Sequence, residues 1–131
     1  MDKQIEFYEK KLAYEMDSWD LNQALEQGEA VAVIDARNIE AHEIEHIPND
    51  INLPHSQMNE ESTRHFNRDI LYVVYCDGIG CNASTKGALK LTRLGFRVKE
   101  LMGGLDWWKR DGYTTEGSAE KGCTSKNCGC C

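Results

Sequence analysis

Long apolar runs are missing from this sequence. The longest, Ile70 to Cys76, falls far short of the roughly 20 residues a helix needs to cross a bilayer. The first residues, Met1 to Leu12, lack the uninterrupted apolar stretch of a secretory signal, so a cytoplasmic location is expected. Basic side chains are in deficit: 15 Lys and Arg against 22 Asp and Glu leave a net charge of −7. Nucleic-acid affinity comes largely from clustered Lys and Arg, so that class of partner is disfavoured. Neither nucleic acid nor membrane is expected as a partner. What remains is ordinary for a folded domain: 131 residues, 40% hydrophobic and 28% charged. A chain of this length fits one domain and buries about two-thirds of its unfolded surface.

Cysteine is the residue in excess, with six. Without an export signal, reactive or metal-binding thiols are favoured over structural disulfides. Cys76 and Cys81 sit mid-chain, and Cys123, Cys128, Cys130 and Cys131 crowd the end.

The pattern along the chain alternates helices and strands. Ile5, Tyr8, Leu12 and Met16 form one helical stripe, and Asp17 or Ser18 can cap a second helix ending near Gly28. Val31 to Asp35 reads as a strand buried on both faces. Asn38 can cap a short helix through His46, and Asp50 to Leu53 is extended. Ser56 to Phe66 reads as weakly helical, and Ile70 to Tyr75 is the strongest strand. A helix follows over Asn82 to Leu94, then a strand over Phe96 to Leu101 and a short helix over Leu105 to Arg110. This order predicts an α/β fold with a central, mostly parallel sheet flanked by helices. The expected division is an N-terminal helix over 1–17, a domain over 18–113 and a flexible, Cys-rich tail over 114–131.

In such sheets, sites form beyond the carboxyl ends of the strands. Cys76 stands there, followed by Asp77, Gly78, Ile79, Gly80, Cys81 and Asn82, a loop that opens a helix. Gly78 and Gly80 are expected to let the loop curl until its amides converge on the sulfur. A helix terminus alone contributes about 0.3–1 kcal/mol to a thiolate, up to roughly 2 when partly buried. Several N–H bonds to the anion, about 1.5–3 kcal/mol each, would weigh more. The loop, more than the helix, would therefore have to make the thiolate. Cysteine is equally at home as a small core residue, which is the competing reading of Cys76.

Other side chains carry weaker signals. Arg37, two residues after Asp35, is a candidate substrate contact, with a structural ion pair as the favoured role. His42 and His46 have the spacing of two metal ligands but no third in view. Trp107 and Trp108 read as a partly exposed residue beside a core one, and Ser84 and Thr85 as helix-capping residues. The tail spacing fits no zinc motif, and Cys123, Cys128, Cys130 and Cys131 are candidates for soft-metal binding or sulfur relay.

The chain resembles a single-domain rhodanese in three segments that occur in the family's order. VVYCDGIGCNAS resembles the active-site loop. VIDARNIEAHEIEHIPNDINLPH resembles the Asp-x-Arg and His-Ile-Pro-Gly-Ala segments through Asp35, Arg37, His46, Ile47 and Pro48. LMGGLDWWKRDGY resembles the closing Gly-Gly-x-x-x-Trp segment through Gly103, Gly104 and Trp108. The resemblance implies a rhodanese-like fold with its active-site loop after the central strand. It also implies a sulfurtransferase that carries a sulfane sulfur as a persulfide on Cys76, without a cofactor. The expected partners are a small sulfur donor or a persulfide-carrying protein. Glu45 and Asn49 stand where the family usually has glycine, and Cys81 where it often has arginine. With no Arg or Lys between Cys76 and Ala83 and with Asp77 adding charge, the loop is a poor phosphate site and weak thiosulfate turnover is expected. Cys81 is also a candidate resolving thiol, able to attack the persulfide and leave a Cys76–Cys81 disulfide. The alternative is a non-catalytic redox or metal-handling module that uses Cys81 and the tail cysteines.

Overall fold

The computed structural model describes residues 1–119. The tail cysteines Cys123, Cys128, Cys130 and Cys131 lie outside them, and so do the soft-metal and relay roles considered for them. Helix α1 (Asp2–Tyr14) leads into β1 (Glu15–Met16), α2 (Ser18–Glu26) and β2 (Val31–Asp35). Then come α3 (Ile39–Ile44), β3 (Ile51–Asn52) and, after a 3-10 turn at His55–Gln57, β4 (Leu71–Tyr75). The chain continues through α4 (Ala83–Arg93), β5 (Arg97–Leu101) and α5 (Gly104–Arg110). The five strands form one sheet in the order β1-β5-β4-β2-β3, every neighbouring pair parallel.

Side chains alternate across this sheet, so each β-branched strand feeds two cores. Val33, Val73 and Tyr75 face Leu21 of α2 with Leu105 and Trp108 of α5. Ile34, Tyr72 and Val74 face Ala83 and Leu91 of α4, with Met58 and Phe96. The central strand β4 is therefore covered on both sides, which is why its sequence is a continuous apolar run. Asp35 pairs with Tyr75 at the carboxyl edge of β2 and β4, and that edge is where the following loops converge.

Two local expectations are corrected. The Ile5–Tyr8–Leu12–Met16 stripe is broken: α1 ends at Tyr14 and Met16 is buried in β1, its carbonyl accepting from Met102 N–H at 2.8 Å. No described residue of α1 is buried, because the helix is followed by a strand that pairs with β5. A groove of about 930 Å³ runs between α1, α4 and β5, with no cysteine in its lining. Ser56 to Phe66 is a series of turns, not a helix. There Asn59 and Ser62 exchange side-chain and backbone hydrogen bonds at 2.9–3.0 Å, an arrangement that competes with helical pairing. The turn before β3 survives without glycine, since Asn49 takes the left-handed conformation, φ 64°, that asparagine tolerates.

Contacts with the domain continue past Tyr113. Residues 114–119 lie against α3: Glu116 forms an antiparallel bridge with His46, and Ala119 N–H donates to Ile44 O at 2.8 Å. Thr115 Oγ1 donates to Glu45 at 2.6 Å and Trp108 Nε1 to Thr114 O at 2.8 Å. A segment with no large apolar side chain docks through its backbone, which composition does not reveal. A chain ended at Tyr113 should therefore be about 1–3 kcal/mol less stable than one ended at Ala119, since these bonds are each worth roughly 1 kcal/mol net and water replaces some of them. Urea titration of the two truncations measures the difference, and identical midpoints would refute the docking.

Candidate active site

Cys76 follows β4 directly and is 1% exposed. The loop that continues from it is held from three sides. On the α5 side, Leu105 N–H donates to Cys76 O at 2.8 Å and Asp106 N–H to Asp77 O at 2.7 Å. On the α4 side, Ala83 N–H donates to Cys81 Sγ at 3.5 Å, and inside the loop Cys81 N–H donates to Gly78 O at 3.2 Å. Within the loop, Cys76 and Cys81 are joined as a disulfide, with Cα atoms 6.3 Å apart. That separation lies inside the range of roughly 4.4–6.8 Å a disulfide accepts without backbone movement.

The third support is Arg37. Its Nε and Nη2 donate to the two oxygens of Asp35 at 2.9 and 2.8 Å, and Nη1 donates to Asp77 Oδ1 at 2.7 Å. Nη2 also donates to Glu45 O at 2.6 Å. Arg37 and Asp35 are both fully buried. Burial opposes the charge on Arg37, but Asp35 and Asp77 outweigh it and hold the guanidinium pKa above its ordinary value. Burial also pushes the Asp77 carboxyl upward, more than Arg37 draws it down. Arg37 is held in a structural ion pair, with no exposed surface and outside the lining of the cavity beside the loop. Asp77, expected to repel anions as a free charge, instead spends that charge on Arg37.

That cavity is about 690 Å³ and is lined by residues 78–82, Ser84, Thr85 and the 101–104 turn. Ile79 is 79% exposed at its rim, with Trp107 and Met102 each 42% exposed, while Trp108 is core. Glu15, Asp17 and Glu100 line it too, and no Lys, Arg or His does. Ser84 and Thr85 do not cap α4 with their hydroxyls. Both donate to Glu100 Oε2, at 2.8 and 2.7 Å, which draws a carboxylate over the first turn of that helix. Asn82 makes no side-chain cap bond either. Gly78 and Gly80 do not take positive φ, so the loop curls without their special freedom. The glycine requirement falls instead on Gly104, at φ 58°: a Cβ there would run into Cys76 O and stand 2.9 Å from Gly78 N.

Beside the site lies a polar cluster that the sequence did not assemble. His42 and His46 stack with ring centroids 3.9 Å apart, and Asp50 supplies the third group that was not in view in the sequence, with one ligand atom of each within 4.8 Å. The hydrogen bonds of this cluster are turned inward. His42 Nδ1 is 3.0 Å from Asp35 Oδ2, and His46 Nδ1 is 2.7 Å from His42 O. Tyr75 Oη donates to Asp50 Oδ2 at 2.5 Å and accepts from Ile47 N–H. Burial, with Asp35 and Asp50 alongside, raises the Tyr75 pKa and keeps it a donor, and burial also raises that of Asp50. These groups brace Asp35, and through it Arg37 and the loop. Asp50, Tyr75 and Glu100 escape the sequence reading because each meets partners distant in the chain: Tyr75 joins Asp50 and Asp35, and Glu100 joins Ser84 and Thr85 of α4. A paired Gly103-Gly104 before a helix was the signal for the close approach at Cys76.

Known proteins agree with this architecture. The sequence model of the rhodanese-like domain matches residues 19–111. The crystal structure of the BH2092 protein from Bacillus halodurans is similar at 39% identity and a TM-score of 0.84, over 88% of this chain and 85% of that one. A rhodanese-related protein from Thermoplasma volcanium is similar at 27% identity and a TM-score of 0.69, over 80% of this chain and 99% of that one. A thiosulfate sulfurtransferase from Pseudomonas aeruginosa shares the fold at 19% identity and a TM-score of 0.72, over 85% of this chain and 22% of that one. No protein with a curated description matches. With the matched region spanning both cores and the Cys76 loop, the chain belongs to the rhodanese-like domain family.

Proposed function

We propose that the protein is a sulfurtransferase whose sulfur carrier is Cys76. The thiolate of Cys76 attacks the outer sulfur of a donor, becomes a persulfide, and yields that sulfur to a thiophilic acceptor. The observation that carries this reading is the position of Cys76 at the carboxyl end of the central strand, on a loop that closes onto the first turn of α4 beside an open cavity. The test is intact mass after incubation of reduced protein with a sulfane donor. A gain of one sulfur, about 32 Da, mapped by peptide mass to Cys76 and lost in Cys76→Ser is expected, with cyanide converting it to thiocyanate. A gain mapped only to Cys81 or to a tail cysteine would refute the assignment.

The charge of the cavity bears on the donor. Thiosulfate is a dianion, and the lining offers it Glu100, Glu15 and Asp17 with no cation. Ser84 and Thr85 hold Glu100 over the first turn of α4, where it would oppose an anion. At a distance of roughly 7 Å and an effective dielectric of about 40, one carboxylate opposes a dianion by about 1–2 kcal/mol after salt screening. Glu100→Gln should therefore lower KM for thiosulfate about tenfold at low ionic strength and leave that for an uncharged persulfide nearly unchanged. Equal KM values for thiosulfate in parent and variant would show that Glu100 does not select the donor. A neutral or protein-bound persulfide fits the parent cavity better than thiosulfate does.

The Cys76–Cys81 disulfide favours a second reading, a rhodanese-like redox module without transfer. It predicts reversible disulfide formation and no thiocyanate under any donor.

A further inference from the structure

We infer that the protein is also a sulfide-releasing persulfide reductase, with Cys81 as the resolving thiol and a dithiol protein as its electron donor. The inference rests on the proposed loading of Cys76. Its own ground is the disulfide between Cys76 and Cys81, formed with the loop still bonded to α5 and α4. The two sulfurs meet directly within a curled loop, so no rearrangement of the fold is needed to bring Cys81 Sγ onto Cys76 Sγ.

Cys76 thiolate attacks the outer sulfur of a donor R–S–SH, the donor's S–S bond breaks, and RS⁻ leaves Cys76–S–SH behind. Cys81 thiolate then attacks Cys76 Sγ and expels hydrosulfide, which takes up the proton Cys81 gave. The products are the Cys76–Cys81 disulfide and hydrogen sulfide, with Cys81 and Cys76 together oxidised by two electrons and the sulfane sulfur reduced by two. Attack on the inner sulfur, and not the outer one, is what the observed Cys76 Sγ–Cys81 Sγ bond requires. Return to the dithiol state needs a reductant of the dithiol class. Its first thiolate attacks the more exposed sulfur of the pair. Cys76 is 1% exposed, whereas Cys81 is partly exposed and lines the cavity. Attack on Cys81 Sγ releases Cys76 as the thiolate and forms a mixed disulfide, and the partner's second thiol displaces Cys81 as a thiol. The sum is R–SH, hydrogen sulfide and an oxidised partner, formed from R–SSH and a reduced one. Around the mouth, Ile79, Met102 and Trp107 offer a protein partner exposed apolar contact beside an acidic rim.

The test uses the reduced full-length protein under anaerobic conditions, with one equivalent of glutathione persulfide and no added reductant. The parent protein should release one sulfide per sulfur loaded and finish about 2 Da below the reduced mass, with a disulfide mapped to Cys76–Cys81. Cys81→Ser and Cys81→Ala should instead hold the adduct of about 32 Da on Cys76, with a lifetime at least about tenfold longer, and release it to cyanide. A parent adduct as long-lived as that of the variants would overturn the inference and leave sulfur loading standing. So would sulfur found on Cys81, which marks a relay, or a disulfide to a tail cysteine. Failure of the parent and both variants to load would instead defeat the transferase reading, and this inference with it.

Discussion

Arg37→Ala should lower the unfolding free energy by about 3–5 kcal/mol, because it strands a fully buried Asp35 without its counterion. The same substitution frees Asp77 from the 2.7 Å bond that fixes the first residue after Cys76. Sulfur loading of Cys76 should fall with it, even under conditions where the variant is fully folded. Arg37→Lys should recover only part of either loss, since an ammonium cannot make the paired bonds to Asp35 and also reach Asp77 and Glu45 O. Asp77→Asn is the milder partner: an amide oxygen still accepts from Arg37, and the carboxylate it replaces already sits above its ordinary pKa through burial. Urea titration with a common m-value, followed by single-turnover loading of each variant, measures both effects. A loss under about 1 kcal/mol in Arg37→Ala would mean that water reaches Asp35, and that Arg37 does not organise this edge of the sheet.

Arg37 also shows what was readable in the sequence and what was not. The Asp-x-Arg spacing sufficed for a structural ion pair, because both residues leave the same strand end. The strands Val31–Asp35 and Leu71–Tyr75 are plain from β-branched runs, and so is the position of Cys76 directly after the stronger one. Local pattern stops there. That Tyr75 meets Asp35 depends on the parallel register of β2 with β4, and that Asp50 joins them depends on the turn that Asn49 makes. Glu100 carries no signal of its own in β5, and its role depends on α4 bringing Ser84 and Thr85 over it. The contacts of the 114–119 segment are illegible for a different reason. Its anchoring is main-chain pairing with Glu43, Ile44 and His46, and such bonds leave no trace in side-chain composition. Long-range register and backbone docking are thus the two features that single-sequence patterning lacks.

These contacts make the Cys76 loop a surface clamped between a buried arginine and the first turn of α5, and the tightest point of the clamp is Gly104. Gly104→Ala should cost about 2–5 kcal/mol. Part of that, roughly 1–2 kcal/mol, is the left-handed backbone that alanine resists. The remainder, about 1–3 kcal/mol, comes from forcing a methyl group against the backbone at Cys76 O and Gly78 N, where no flexible side chain can yield. Gly28→Ala is the matched control. Its φ is 68°, against 58° at Gly104, but nothing lies within 4 Å of the added carbon, so it should show the backbone cost alone. The difference between the two variants isolates the contact with the loop. It should also appear in function: a displacement near 1 Å at a reacting group commonly costs about 10²-fold in rate. Loading of Cys76 should therefore slow by about that factor in Gly104→Ala and remain at the parent rate in Gly28→Ala. Equal stability losses and equal loading rates in the two variants would show that the 103–104 turn merely passes the Cys76 loop without setting its position.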